Sequence, residues 1–246
     1  MEPIYSKQFK IGDTQVNCFD RLKSSQILAI MQEAAGEHSA LLGADKDALK
    51  EKGVFWALIR YHIEIKRLPR AGEIITVETW PMPTTRTAYP RATVAFDKDG
   101  NELFRGISLW VLMSFATRAM VLPAKSGVTV EGCVRGNEVS VPGSLLPKML
   151  QNCDSRIVRF SDLDINSHVN NCRYMEWVDD LLGADFHAEH SPKEMVICYL
   201  SEAREGEMVD ITWELGEDQI LSVDAHRKEE EMSMGHSRVF SVQIQF

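Results

Sequence analysis

The strongest constraint on this chain is that it repeats itself. The string Arg70-Ala-Gly-Glu-Ile-Ile-Thr-Val-Glu-Thr79 has a counterpart in Arg204-Glu-Gly-Glu-Met-Val-Asp-Ile-Thr-Trp213, and Phe19-Asp20 has one in Phe160-Ser161-Asp162. The periodicities around these strings repeat as well. In the first half, strands are expected at 4–9 and, briefly, at 15–19. A helix capped by Ser24 or Ser25 then follows, with Ile27, Ile30, Met31, Ala34, Ala35, Leu41 and Leu42 on a 3.6-residue period and Gly43 at its end. Alternating patterns predict strands at 54–66, 73–80, 86–96 and 103–115, the last two joined by the turn Asp97-Lys98-Asp99-Gly100-Asn101. In the second half a strand at 157–160 precedes a helix carrying Val169, Cys172, Met175, Val178, Leu181 and Leu182, closed near Gly183. Strands follow at 195–200, 208–215, 220–227 and 237–246.

One helix followed by several antiparallel strands, twice, is an α+β plan in which each helix covers the apolar face of its own sheet. The glycines and prolines between Gly127 and Pro147 lack any sustained period, which predicts a linker over 124–153 between units at 1–123 and 154–246. Two such units are expected side by side as an internal pseudo-dimer, because open sheet edges need cover.

Composition excludes several classes of function. The chain has 246 residues, 44% hydrophobic and 26% charged, ample for a packed core. A net charge of -9 argues against a general nucleic-acid binder. No apolar run approaches the length of about 18 residues that a membrane span needs, and the N-terminus lacks the basic-then-apolar pattern of a secretory signal. Cys18, Cys133, Cys153, Cys172 and Cys198 are scattered, which reads as reduced cytoplasmic thiols. Neither these nor the histidines have metal-ligand spacing, so no metal and no cofactor is expected. His187 and His190 fall in a polar, loop-like stretch, and Lys228-Glu229-Glu230-Glu231 is expected as a solvated hairpin turn. Trp56, Trp80, Trp110, Trp177 and Trp213 are expected in the core, as is the Cys172 thiol.

The polar decapeptide Asp-Leu-Asp-Ile-Asn-Ser-His-Val-Asn-Asn over 162–171 stands out against this background. It sets carboxylates, carboxamides and an imidazole directly before the second helix, with Asp164, Asn166 and His168 alternating along it. Such residues also mark turns and helix starts, so an elaborate helix cap is the plain structural alternative.

The decapeptide, continued by Arg173-Tyr174-Met175-Glu176-Trp177, resembles the hallmark of acyl-acyl carrier protein thioesterases. Trp56, Arg60, Leu68-Pro69-Arg70-Ala71-Gly72-Glu73, Thr79-Trp80, Ser108-Leu109-Trp110-Val111-Leu112-Met113, Thr117-Arg118 and Leu122-Pro123 are similar to that family's first half, in order. The resemblance implies a tandem double hotdog, two antiparallel sheets each wrapped around a long helix. It also implies hydrolysis of the thioester of fatty acyl-acyl carrier protein, releasing free fatty acid and ending chain elongation. Its catalytic set maps onto Asp164, Asn166, His168 and Glu202. Plant members commonly carry a cysteine beside that acid; here the position is Ala203, so no thiol nucleophile is available there.

Glu202 is the expected general base for water, with Asn166 and His168 positioning water or carbonyl and Asp164 orienting its neighbours. Backbone N–H groups near Val169 and Asn170 are expected to meet the substrate oxygen. Aligning the two helices sets Asn166 against about Ser24 and His168 against about Gln26, and aligning the Gly-Glu strands sets Glu202 against Leu68. One active site per chain is therefore expected, in the second half, while the first half shapes the acyl pocket with Met31 and Ala34. Acyl carrier protein is the expected partner, docked on Lys66, Arg67 and Arg70 or on Lys148, Arg156, Arg159 and Arg173, and a homodimer is allowed. The alternatives are an acyl-coenzyme A thioesterase of the hotdog fold, a non-catalytic acyl-binding protein and, further off, a hydratase.

Overall fold

The structure is a computed structural model that describes residues 3–136, 138–228 and 238–246. Two compact units, Met1–Pro142 and Gly143–Phe246, make up the chain.

The first unit runs β1 (Tyr5–Lys10), α1 (Ser24–Leu41), α2 (Lys46–Glu51), β2 (Val54–Ile65), β3 (Ile74–Pro81), β4 (Tyr89–Phe96), β5 (Glu102–Ser114), β6 (Met120–Val121) and α3 (Pro123–Ser126). Its antiparallel strands lie in the order β1-β3-β4-β5-β2, with β6 on β5. The second unit runs β7 (Asn152–Ile157), α4 (Asn171–Asp179), α5 (Ala184–Glu189), β8 (Glu194–Tyr199), β9 (Met208–Leu215), β10 (Ile220–Arg227) and β11 (Arg238–Gln245). The order here is β7-β9-β10-β11-β8, also antiparallel. Apart from β6, the second unit repeats the first strand for strand.

Helix α1 exists because its apolar stripe has a sheet to cover. Ile27, Leu28, Met31 and Ala34 are 0–2% exposed, and each of the larger three contributes about 1.5–3 kcal/mol through burial. The expected serine cap is absent: Lys23 is the N-cap, without a side-chain bond, and Ser24 begins the helix. Residues 15–19 form no strand. A 3-10 turn at Asp13–Gln15 and a tight turn replace it, because Asn17 ties the local N–H groups to its own side chain. The 97–101 turn is as expected, with Asp97 Oδ1 accepting from the N–H groups of Asp99 and Asn101, both at 2.9 Å.

The expected linker divides. Up to Pro142 it lies on the first unit: the Cys133 N–H donates to the Pro81 carbonyl at 3.0 Å, Trp80 Nε1 to Glu138 at 3.3 Å and Arg60 Nη1 to the Pro142 carbonyl at 3.2 Å. Gly132 is required by this path, since a Cβ there would meet the Met82 carbonyl carbon at 2.1 Å. Both faces of β4 are thereby covered, and its residues Tyr89 to Ala95 are all buried.

In the second unit the helix is shorter than expected. α4 has 9 residues against 18 in α1, and the chain restarts as α5, which holds His187 where a loop was expected. Of the hairpin turn expected at 228–231, residues 229–231 lie outside the described residues, as does Ser237. No helix among the described residues is long and apolar enough to cross a membrane.

Candidate active site

The polar decapeptide folds into a closed loop before α4. A 3-10 turn at Phe160–Asp162 leads in. The Asp164 N–H then donates to the His168 carbonyl at 2.8 Å, that of Ser167 to the Asp164 carbonyl at 3.0 Å, and that of Asn170 to the Asp162 carbonyl at 2.8 Å. Asp164 organises the loop from within. Its Oδ1 accepts from the Asn166 N–H at 2.7 Å and the His168 N–H at 3.4 Å, and its Oδ2 lies 3.3 Å from Asn166 Nδ2. Ser167 takes a left-handed φ of 62° to close the turn. Asn170 caps α4, its side chain accepting from the Cys172 N–H at 2.9 Å. Asp162, 6% exposed, is held by Arg173 at 3.1 Å.

The segment after β8 is hydrogen-bonded onto this loop, which brings Glu202 to His168. The Val169 N–H donates to the Ala203 carbonyl at 2.9 Å. His168 Nε2 then lies 3.1 Å from Glu202 Oε2, the imidazole side chain 16% exposed and the carboxylate 43%. The backbone under Glu202 is fixed from three sides. Arg227 Nη2 donates to the Glu202 carbonyl at 2.5 Å, Ser201 Oγ to the Arg238 carbonyl at 2.8 Å, and buried Tyr174 bonds to the Ala203 backbone. Burial pushes the Tyr174 phenol well above its ordinary range. Ala203 is fully buried, so even a cysteine there would be enclosed. The expected residues thus meet as two pairs, Asp164 with Asn166 and His168 with Glu202. The N–H groups of Val169 and Asn170, expected to face substrate oxygen, are instead donated to Ala203 and Asp162. Arg227 carried no sequence signal, being an ordinary strand residue by pattern, and Tyr174 stood only within the string that continues the decapeptide.

The first unit contains the same loop in its backbone hydrogen bonds. The Asn17 N–H donates to the Arg21 carbonyl at 2.8 Å and that of Asp20 to the Asn17 carbonyl at 3.0 Å. Asn17 Oδ1 accepts from the N–H groups of Phe19 at 3.0 Å and Arg21 at 3.2 Å. Asp20 has φ 55° where Ser167 has 62°, and the Leu22 N–H donates to the Pro69 carbonyl at 2.8 Å where Val169 donates to Ala203. This pairs Asp164 with Asn17, Asn166 with Phe19 and His168 with Arg21. The sequence alignment had put Asn166 against Ser24 and His168 against Gln26; that register is corrected, because the helix caps to match are Lys23 and Asn170. Glu202 stays opposite Leu68. The loop architecture is therefore scaffold, common to both units. The carboxylate–imidazole pair is what the second unit alone carries.

The first unit holds a cavity of about 130 Å³ between α1 and its sheet, walled by Gln32, Ala35, Gly36, Trp56, Tyr89, Arg91 and Trp110 among others. Met31 and Ala34, expected to shape such a pocket, are buried in the core beside it and are not among its walls. Trp56 and Trp110, expected in the core, face it.

Most of the expected docking cations are committed internally. Arg67 pairs with Glu73 at 2.7 Å, Lys66 with Glu102 at 3.1 Å, Arg156 with Asp180 at 3.2 Å, and Arg173 with Asp162 and Glu176. Arg70 and Arg159 make no ion pair among the described residues. Arg159 is exposed, beside Phe160 at 80% exposure and near Ile165 at 85%. No group of three or more metal-ligating side chains occurs among the described residues.

A helix laid on an antiparallel sheet, repeated with one strand order and carrying a carboxylate–imidazole pair in the second copy, defines a tandem hotdog protein. Residues 2–124 match the acyl-ACP thioesterase N-terminal domain and residues 150–244 the acyl-ACP thioesterase C-terminal domain. The chain belongs to the acyl-ACP thioesterase family. Among curated relatives, an oleoyl-acyl carrier protein thioesterase of Coriandrum sativum is 26% identical over 225 residues, covering 84% of this chain and 61% of the relative. A dodecanoyl-[acyl-carrier-protein] hydrolase of Umbellularia californica is 28% identical over 205 residues, covering 73% and 52%. The chain spans about half to three-fifths of the length of these chloroplastic relatives. Among solved structures, an acyl-ACP thioesterase from Bacteroides thetaiotaomicron superposes with a TM-score of 0.89 at 23% identity, covering 99% of this chain and 98% of that one. The 12:0-ACP thioesterase from Umbellularia californica gives 0.82 at 21%, covering 100% and 97%. These two likenesses speak for the fold.

Proposed function

We propose that the chain hydrolyses the thioester of fatty acyl-acyl carrier protein through a water activated by Glu202. The observation that carries this reading is the His168–Glu202 pair at 3.1 Å, present in one loop and replaced by Arg21 and Leu68 in its structural copy. A scaffold that needed only to close the loop would not require the acid and the imidazole together. Family membership and the acyl-acyl carrier protein substrates named for the curated relatives support the substrate class.

Glu202 is exposed enough to meet water and is oriented by His168. As the water oxygen attacks the carbonyl carbon, its proton passes to Glu202. The tetrahedral oxyanion then collapses and the carbon–sulfur bond breaks. Sulfur leaves as thiolate and takes up the proton, giving free acid and carrier thiol. Asp164 acts through the loop, holding the Asn166 and His168 backbones in place. The far end of the acyl chain enters the first unit's cavity, so that its walls, and not Met31 or Ala34 directly, set chain preference. The carrier docks at Arg159 with Phe160 and Ile165, a cation beside apolar groups that suits an acidic, partly apolar protein surface. The same reading carries a cytoplasmic setting and leaves room for a homodimer.

The test is thiol release from fatty acyl-acyl carrier protein by wild type and Glu202→Gln. Loss of the base should lower kcat about 10²–10⁴-fold with the unfolding midpoint unchanged. Full activity in Glu202→Gln would overturn the assignment, and no release by wild type would overturn the function.

A further inference from the structure

The cavity of the first unit contains a buried cation that the thioester chemistry does not use. Arg91, on β4, is 7% exposed and forms part of the wall. Its Nη1 is pinned 3.0 Å from His38 Nδ1 and 3.4 Å from Thr79 Oγ1. Neither neighbour is acidic, no carboxylate lines the cavity, and Nε and Nη2 have no acceptor among the described residues. Burial alone lowers the guanidinium, to about 10, so it remains charged at neutral pH.

Four other polar groups of the wall are bonded to partners of their own. Trp56 Nε1 donates to the Ala44 carbonyl at 3.0 Å, Trp110 Nε1 to Ser108 Oγ at 2.9 Å, and Ser39 Oγ to the Ala44 carbonyl at 2.8 Å. The Tyr89 hydroxyl bonds Ser126 Oγ at 3.0 Å. The cavity is left with largely carbon surfaces, the Gln32 carboxamide and one guanidinium with N–H groups to offer. The fold does not demand that charge. Arg91 stands opposite Pro81 of β3; in the register of the repeated strings Pro81 matches Leu215, whose partner on β10 is Leu221, so the corresponding position of the second unit is a buried leucine. Gly36, in mid-helix where glycine is unfavourable, has nothing within 4 Å of its Cβ direction and keeps the space open.

We propose that this cavity is a carboxylate-binding site, in which Arg91 holds the carboxylate of a ligand whose body is a short hydrocarbon. A volume near 130 Å³ suits a body of about six heavy atoms, judged against a cavity of similar size that accepts benzene. An ionised carboxylate supplies the counter-charge and the paired acceptors that a guanidinium fork matches, while the aromatic walls take the alkyl part. The carboxylate belongs either to a free short-chain acid or to the carboxylated far end of an acyl group.

The first arm of the test needs no catalysis. Sodium hexanoate and hexan-1-ol are titrated calorimetrically into wild type, Arg91→Met and Arg91→Lys, with thermal unfolding of each. Saturable hexanoate binding at least tenfold tighter than hexanol, weakened at least tenfold in Arg91→Met and partly kept in Arg91→Lys, supports the proposal. Should Arg91→Met fail to fold, the hexanoate–hexanol comparison on wild type and Arg91→Lys still decides. The second arm rests on the proposed thioesterase reading and compares decanoyl thioester with its ω-carboxylated counterpart. A preference for the latter that disappears in Arg91→Met assigns the carboxylate to the acyl end; hexanoate binding without that preference assigns it to a free acid. Neither hexanoate binding nor the preference, or equal hexanoate affinity in Arg91→Met, overturns the proposal. Hexanoate binding with no thioester hydrolysis at all would sink the thioesterase reading alone.

Discussion

Asp164 offers a clean separation of scaffold from chemistry, because Asn17 does the same structural work in the first unit without a charge. Replacing Asp164 by Ala removes the 2.7 Å bond from the Asn166 N–H and two longer contacts at 3.3 and 3.4 Å. The short bond to an ionised acceptor at a partly exposed site is worth about 1.5 kcal/mol, and the two long ones about 0.5 kcal/mol together. The loss is thus about 2 kcal/mol. If all of it appears as opening of the loop that carries His168, kcat/KM falls by up to about 30-fold. Asp164→Asn keeps Oδ1 as acceptor, in the geometry Asn17 shows at 3.0 and 3.2 Å. It should cost under about 1 kcal/mol and leave activity within about fivefold. Thiol release from fatty acyl-acyl carrier protein and urea unfolding, run on both variants, read the two quantities. If Asp164→Asn is as impaired as Asp164→Ala, or loses more than about 100-fold with its stability intact, the carboxylate takes part in the reaction and the scaffold argument fails.

Three further outcomes are expected. Gly36→Ala places a methyl in open space on α1 and should raise stability by about 0.5–1 kcal/mol in urea unfolding, while Gly36→Leu should shift the product profile toward shorter chains; an unchanged profile would count against the cavity as acyl pocket. Arg159→Glu should raise KM for carrier-linked substrate and spare a small acyl thioester, and equal effects on both would remove Arg159 from docking. The Arg67 guanidinium beside Glu73, helped by the Arg70 N–H, holds that carboxyl below its ordinary 4.5. Glu73 therefore contributes stability that is fully present above about pH 4.5 and is lost as the pH falls through its lower folded value. The unfolding free energies of wild type and Glu73→Gln should accordingly differ above that pH and converge below it, whereas a gap that widens in acid would contradict the ion pair's role.

Much of the plan was legible in the sequence. β9 and β10 fall at 208–215 and 220–227 as read, because alternation of apolar and polar residues is a local consequence of one face being buried. The strand expected at 15–19 is a turn instead, since Asn17 captures N–H groups that a strand would have paired elsewhere. Helix α4 is shorter than its apolar period, because apolar spacing cannot report where a chain turns away; Leu181 and Leu182 continue the period beyond the helix.

The sequence by itself determined that there are two copies of one plan, and that chemically useful groups are concentrated in the second. Both follow from residue type and spacing along the chain. Only the tertiary structure decided that Glu202 meets His168, that Asn17 and Arg21 are the true counterparts of Asp164 and His168, and that Arg91 sits charged inside a cavity. The first two depend on backbone hydrogen bonds between distant segments, Val169 to Ala203 and Leu22 to Pro69, which any residue but proline can donate and which therefore leave no mark in composition. The third depends on what covers a strand face. An arginine in an alternating strand reads as surface until a helix, with His38 on it, is laid across that face.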